Sequence, residues 1–239
     1  MQRYDTSPTI GILGGASNVA TGQMYARINE LSQARLNKSP TGHHIVQTLI
    51  SGMDFGVIEH AVRHDNWDAL SDYLDIHLDR LKAADIVICG SNTLHQRVAS
   101  LMETRPQTFL HIADPTIHAM KRAGVSHAAL FGTKPVMSAA YMLDYYGAAG
   151  IKISVPTETE QTDIDRIIFD ELCSFNFRPE SRQRYVEIAR RLSHENGIQG
   201  VILGCTEIEG LVKPDDIPEL PLFDTMDLLC KAAVSQVLG

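Results

Sequence analysis

Short apolar runs recur along the chain at Thr9–Leu13, Ile45–Ile50, Ile86–Cys89, Thr108–Ile112, Ala128–Phe131, Ile151–Val155, Gly200–Leu203 and Pro221–Phe223, several of them closed by Gly or Pro. Runs of this length between chain breakers predict buried strands. Between them lie longer stretches with helical spacing of apolar positions: Gly22–Ala34, Trp67–Ala83, Leu94–Glu103, Thr116–Ala123, Met137–Tyr146, Ile164–Phe175 and Pro179–Glu195. Strand alternating with helix predicts an α/β protein with a mainly parallel sheet covered by helices on both faces. Such sheets carry their binding groups beyond the carboxyl ends of the strands, on the loops that enter the next helix.

Comparison of those strand ends reveals a short internal repeat. Ile12-Leu13-Gly14-Gly15 is matched by Leu130-Phe131-Gly132-Thr133, and Ile88-Cys89-Gly90-Ser91-Asn92-Thr93 by Leu203-Gly204-Cys205-Thr206. The two offsets are similar, which points to two related halves with Ser91 and Cys205 in equivalent places. Halves built this way are expected to face one another across a cleft.

Composition narrows the class without changing this picture. The chain has 239 residues, of which 44% are hydrophobic and 21% charged, as in ordinary folded proteins rather than disordered or fibrous ones. Its 21 Lys and Arg against 29 Asp and Glu give a net charge of −8, which argues against nucleic acid as a partner because phosphate-backbone binding needs a basic face. The four cysteines, at 89, 173, 205 and 230, form no CxxC pair, so neither a zinc ribbon nor a disulfide framework is expected and a reducing compartment fits. The polar Met1–Pro8 stretch and the short Ile10–Leu13 run predict neither a signal peptide nor a membrane span, and hence a cytoplasmic protein.

Candidate chemistry clusters where strands are expected to end. Cys205, in Gly204-Cys205-Thr206-Glu207, follows the apolar Val201–Leu203 run. In such a turn a thiol near free backbone N–H groups has a lowered pKa and serves as base or nucleophile; the alternative is an inert buried cysteine. Ser91-Asn92-Thr93 follows Ile86–Gly90 and enters a helix. These residues are ordinary N-caps, and the same donors bind carboxylates at a helix N-terminus. Thr133 and Thr206 offer a second set, and together the two sets suit the α-carboxylate and α-amine of an amino acid. The Gly14-Gly15-Ala16-Ser17-Asn18 loop lacks G-x-G-x-x-G, and neither a P-loop nor H-E-x-x-H occurs. No nucleotide cofactor or metal is therefore expected. The adjacent pair His43-His44 reads as solvated loop, and Asp54 either lines the cleft or caps the helix that begins there.

Taken in order, Ile10–Ser17 (IGILGGAS), Asp54–Glu59, Asn92-Thr93-Leu94-His95, His111–Asp114, Gly132-Thr133, Gly204–Ile208 and Phe223-Asp224-Thr225 resemble the cofactor-independent aspartate/glutamate racemase family, and most its broad-specificity amino-acid racemase branch. The resemblance runs over nearly the whole chain. It implies two pseudo-symmetric α/β domains with the active-site cleft between them, here 1–114 completed by 222–239, and 115–221. It also implies proton exchange at Cα between two cysteines on opposite sides, without pyridoxal phosphate, and the homodimer common among family members. Residue by residue it assigns Cys205 as the second cysteine and places Ser91 where the first would stand. Asn92, Thr93, Thr133 and Thr206 would orient the substrate, with Ala16, Ser17, Asp54 and Glu207 around it. Two further departures are Val136, where many relatives have Thr, and Ala16, where Met is frequent.

A serine hydroxyl is far less acidic than a thiol, so Ser91 is a poor base, though it can donate a proton to a carbanion on its side. Cys89, two residues earlier, is expected in the core. Three functions follow: an amino-acid racemase or epimerase, a single-cysteine isomerase or decarboxylase of the same superfamily, or a non-catalytic amino-acid binder. Lys134, Arg63, His43 and His44 are the candidates to meet a distal substrate carboxylate.

Overall fold

The computed structural model describes residues 8–36 and 44–239, and the chain divides into two compact units, Met1–Ile112 with Leu229–Gly239, and Ala113–Leu228. The first carries, in chain order, β1 (Ile10–Gly14), α1 (Asn18–Leu36), β2 (Thr48–Gly52), α2 (Phe55–Arg63), α3 (Trp67–Arg80), β3 (Ile86–Cys89), α4 (His95–Met102) and β4 (Thr108–Leu110). Its four strands are all parallel, in the order β2-β1-β3-β4. The second unit carries α5 (Ala113–Arg122), β5 (His127–Phe131), α6 (Lys134–Ser138), α7 (Ala140–Ala148), β6 (Lys152–Ser154), α8 (Glu158–Asp170), α9 (Pro179–Asn196), β7 (Val201–Leu203), α10 (Ile208–Leu211), β8 (Leu222–Asp224) and the start of α11 (Thr225–Leu238). Its strands are also all parallel, in the equivalent order β6-β5-β7-β8.

Burial explains why these runs are strands. Every residue of the central β1, β3 and β7 is buried, whereas the edge strands β2, β4, β6 and β8 carry half-buried or exposed positions, and β4 and β6 have no buried residue. A central parallel strand is covered on both faces and so reads as continuously apolar. One core gathers Leu13, Leu74, Val87 and Val98 around the first sheet; the other gathers Phe131, Ile167, Tyr185 and Leu203 around the second.

Several boundaries differ from the sequence reading, each for a local reason. β8 pairs with β7, so residues 222–228 lie in the second unit rather than completing the first, as the reading of 222–239 had it. The expected helix Met137–Tyr146 is broken at Ala139, whose extended backbone (φ −77°, ψ 126°) separates α6 from α7. Helix α8 starts six residues before the expected Ile164, because Thr157 and Glu160 form a reciprocal capping box. It ends at Asp170 and is followed by a 3-10 turn, after which Phe175 takes a left-handed conformation (φ 57°).

Candidate active site

Because all strands of a unit run the same way, the loops after them gather at one edge. In the first unit that edge carries the turn after β1 with Ala16 and Ser17, Asp54 after β2, and Ser91-Asn92-Thr93 after β3. Gly15 makes the first turn possible. It sits at φ +97°, and a Cβ there would lie 2.2 Å from the Met53 carbonyl oxygen, so the two loops approach through bare backbone. Ser17 Oγ caps α1 by accepting from Ala20 N at 3.1 Å, and Ala16 is half-buried against the core.

Asp54 is exposed and caps α2, its Oδ1 accepting from Gly56 N at 2.8 Å, so the capping alternative is realised. Its own N–H donates to the Tyr73 hydroxyl at 2.8 Å. Ser91 is half-buried; its Oγ accepts from Leu94 N at 3.4 Å and its carbonyl accepts from His95 Nδ1 at 2.8 Å. Asn92 is buried and Thr93 half-buried. Cys89 lies fully within the core, and burial pushes its thiol up to about 12, so it stays protonated.

In the second unit the same edge carries Thr133 after β5, Cys205-Thr206-Glu207 after β7, and Asp224-Thr225 at the end of β8. Gly204 precedes Cys205 because no side chain fits: a Cβ would stand 2.8 Å from Leu130 Cδ1 and 2.9 Å from the Phe131 carbonyl oxygen, the acceptor of the Gly204 N–H. Cys205 is half-buried, and its thiol donates to Glu207 Oε2 at 3.0 Å. The same oxygen accepts from Thr206 Oγ1 at 2.6 Å. Thr206 and Glu207 are both buried. One carboxylate oxygen therefore collects the protons of the two side chains before it.

This arrangement reverses an expectation. The sequence reading gave Cys205 a lowered pKa, but its thiol is held well above the ordinary value, by burial first and then by the neighbouring Glu207 charge. The resting group is a thiol, a proton donor, with a carboxylate in contact that can take its proton. Asp224 is also raised, to about 6, chiefly by burial, with Glu209 and Asp227 adding repulsion against two backbone N–H bonds that favour its charge. Its Oδ1 accepts those bonds, from Met226 N and Asp227 N at 2.9 and 3.1 Å.

Of the groups proposed for a distal carboxylate, Arg63 pairs with Glu59 at 2.7 Å and Lys134 approaches Glu158 at 3.9 Å. His44 is exposed, and His43 lies outside the described residues. Among the described residues no group of three His, Cys, Asp or Glu side chains converges as a metal site, and no helix is long and apolar enough to cross a membrane.

Residues 10–233 match the Asp/Glu/Hydantoin racemase family. The chain belongs to that family. Among solved structures it is similar to a Yersinia pestis protein assigned as an Asp/Glu racemase, with 29% identity and a TM-score of 0.88 over 97% of this chain and 100% of the other. An aspartate racemase homologue from Pyrococcus horikoshii OT3 superposes with a TM-score of 0.83 at 24% identity, over 97% of this chain and 99% of that one. The Picrophilus torridus aspartate racemase shares the fold at 16% identity, with a TM-score of 0.73 over 96% of this chain and 94% of its own. Two parallel four-stranded sheets flanked by helices are thus the racemase-family architecture.

Within this family member, two residues that hold the strand-end loops have no role in the sequence reading. Tyr73 lies in the middle of α3, and only the fold brings its hydroxyl to the Asp54 amide. His95 was legible as part of the Asn-Thr-Leu-His element, but its two partners were not. For Glu207, placement was expected and the thiol contact was not; its spacing of two from Cys205 was the available signal.

Proposed function

We propose that the protein is a cofactor-independent amino-acid racemase or epimerase acting on aspartate, glutamate or another small amino acid. The observation that carries this reading is the Cys205 thiol bonded to the buried Glu207 carboxylate directly after a central strand. Glu207 takes the thiol proton, and the thiolate removes the hydrogen of Cα: the C–H bond breaks, the S–H bond forms, and the electron pair stays on carbon. Ser91 then delivers its hydroxyl proton to the opposite face, and the proton held by Glu207 returns through water to the Ser91 alkoxide, which resets all three groups. In the reverse direction Cys205 donates, which its protonated resting state suits.

Asn92, Thr93 and Thr133 orient the substrate carboxylate in this reading. Thr206 has committed its proton to Glu207, so it serves the ammonium group as an acceptor. Ala16, Ser17 and Asp54 border the site. A racemase has an equilibrium constant of one between enantiomers, so a weak Ser91 slows both directions alike. The test is incubation with single enantiomers of a broad amino-acid panel in D2O, following deuterium entry at Cα and optical inversion. A folded sample that exchanges none of them refutes the reading.

Ser91 in place of a cysteine favours a second reading, a one-thiol isomerase or decarboxylase. Turnover of maleate or substituted malonates, with none of amino acids, selects it.

A further inference from the structure

His95 is 1% exposed at the start of α4, and both of its ring nitrogens are engaged. Nδ1 lies 2.8 Å from the Ser91 carbonyl oxygen, and Nε2 accepts the Ile112 N–H at 3.1 Å. A carbonyl only accepts and an amide N–H only donates, so the ring is fixed as the neutral Nδ1–H tautomer. Burial, with the His111 ring at 4.6 Å and in edge contact, pushes the pKa of His95 down to about 3, against the opposing pull of the Ser91 carbonyl. Phe109, 5.4 Å from the same ring, packs beside it. The ring thus ties the backbone of Ser91 to Ile112, where the chain leaves the first unit, while among the described residues the Ser91 hydroxyl accepts the Leu94 amide and its proton is the one left to give.

We propose that His95 is a positioning residue for Ser91, a rigid neutral strut between the Ser91 carbonyl and the Ile112 amide that holds the Ser91 hydroxyl where it delivers a proton to Cα. The inference rests on the racemase reading above, and it assigns His95 no contact with substrate.

The two nitrogens can be replaced one at a time. In His95→Asn the side-chain amide N–H stands in for Nδ1–H and keeps the Ser91 bond; in His95→Gln the amide oxygen stands in for Nε2 and keeps the Ile112 bond. Each loses one hydrogen bond and some ring packing, so both are expected to melt at similarly reduced temperatures. They are expected to part in catalysis, with inversion falling about tenfold or more in His95→Gln and staying within about threefold of the native protein in His95→Asn.

A purely structural loss lowers all turnover together, whereas mispositioned Ser91 spares Cys205. For the enantiomer whose hydrogen Cys205 removes, deuterium exchange with retention should therefore persist in His95→Gln while inversion drops. Equal inversion in the two variants, or exchange and inversion falling in step, overturns the proposal. A native protein that exchanges no Cα hydrogen fails the racemase reading itself, a result visible before any variant is made. Should neither variant fold, 15N-resolved NMR of the native protein decides: a neutral Nδ1–H ring from pH 5 to 9 supports the strut, and an Nε2–H tautomer or a titration in that range overturns it.

Discussion

Replacing Glu207 by Gln keeps the shape of the side chain beside Cys205 and removes its charge. In the native protein a Cys205 thiolate would sit 3.0 Å from a carboxylate oxygen. Two unit charges at that distance repel by roughly 1.4 kcal/mol in a medium as polarisable as water and by roughly 5.5 kcal/mol at an effective dielectric constant of about 20, so relief of this repulsion favours the thiolate by at least the smaller figure. Each ~1.4 kcal/mol is a factor of ten in the thiolate-to-thiol ratio at fixed pH. The thiolate population of Cys205 should accordingly rise by about tenfold or more. Ultraviolet absorbance of the thiolate, recorded against pH as the difference between Glu207→Gln and the same protein carrying Cys205→Ser, measures it without the other cysteines. Racemisation should nevertheless slow, since the variant lacks the group that takes the thiol proton. A titration midpoint unchanged or raised in Glu207→Gln would refute the reasoning, because burial alone would then account for the raised thiol.

Gly204→Ala places a methyl group 2.9 Å from the Phe131 carbonyl oxygen, a backbone atom within a central strand, and should cost roughly 1–3 kcal/mol in urea unfolding. Thr157→Ala removes the Oγ1 that caps α8 and should cost about 1 kcal/mol by the same assay, with no change in the substrate panel turned over. Asp224 has a folded-state pKa near 6, above its unfolded value, so the native state binds the extra proton; its contribution is full below about pH 4 and lost as pH rises through 6. Asp224→Asn keeps a capping acceptor and removes the titration, so its unfolding free energy should fall less than that of the native protein between pH 4 and 7; parallel curves would contradict this.

The residue pattern by itself determined the alternation of strand and helix, the parallel sheets and the location of candidate chemistry. Runs such as Ile86–Cys89 and Val201–Leu203 are apolar at every position because a central parallel strand is covered on both sides, and that signal is written in consecutive residues. Element ends were less legible where they depended on one cap, as at Thr157, or on a single extended residue, as at Ala139.

What only the tertiary structure decided is the state of the groups at those loops. Cys205 was expected to ionise easily, yet burial beside Glu207 holds its proton on, and no composition or spacing reports how deeply a carboxylate is buried. The tautomer of His95 depends on the Ile112 amide 17 residues away, and the Asp54 amide meets a hydroxyl 19 residues away on α3. Hydrophobic periodicity records which face of an element leaves water, so it survives in the local pattern. Protonation and hydrogen-bond direction depend on desolvation and on distances of about 3 Å between segments that only the folded chain brings together.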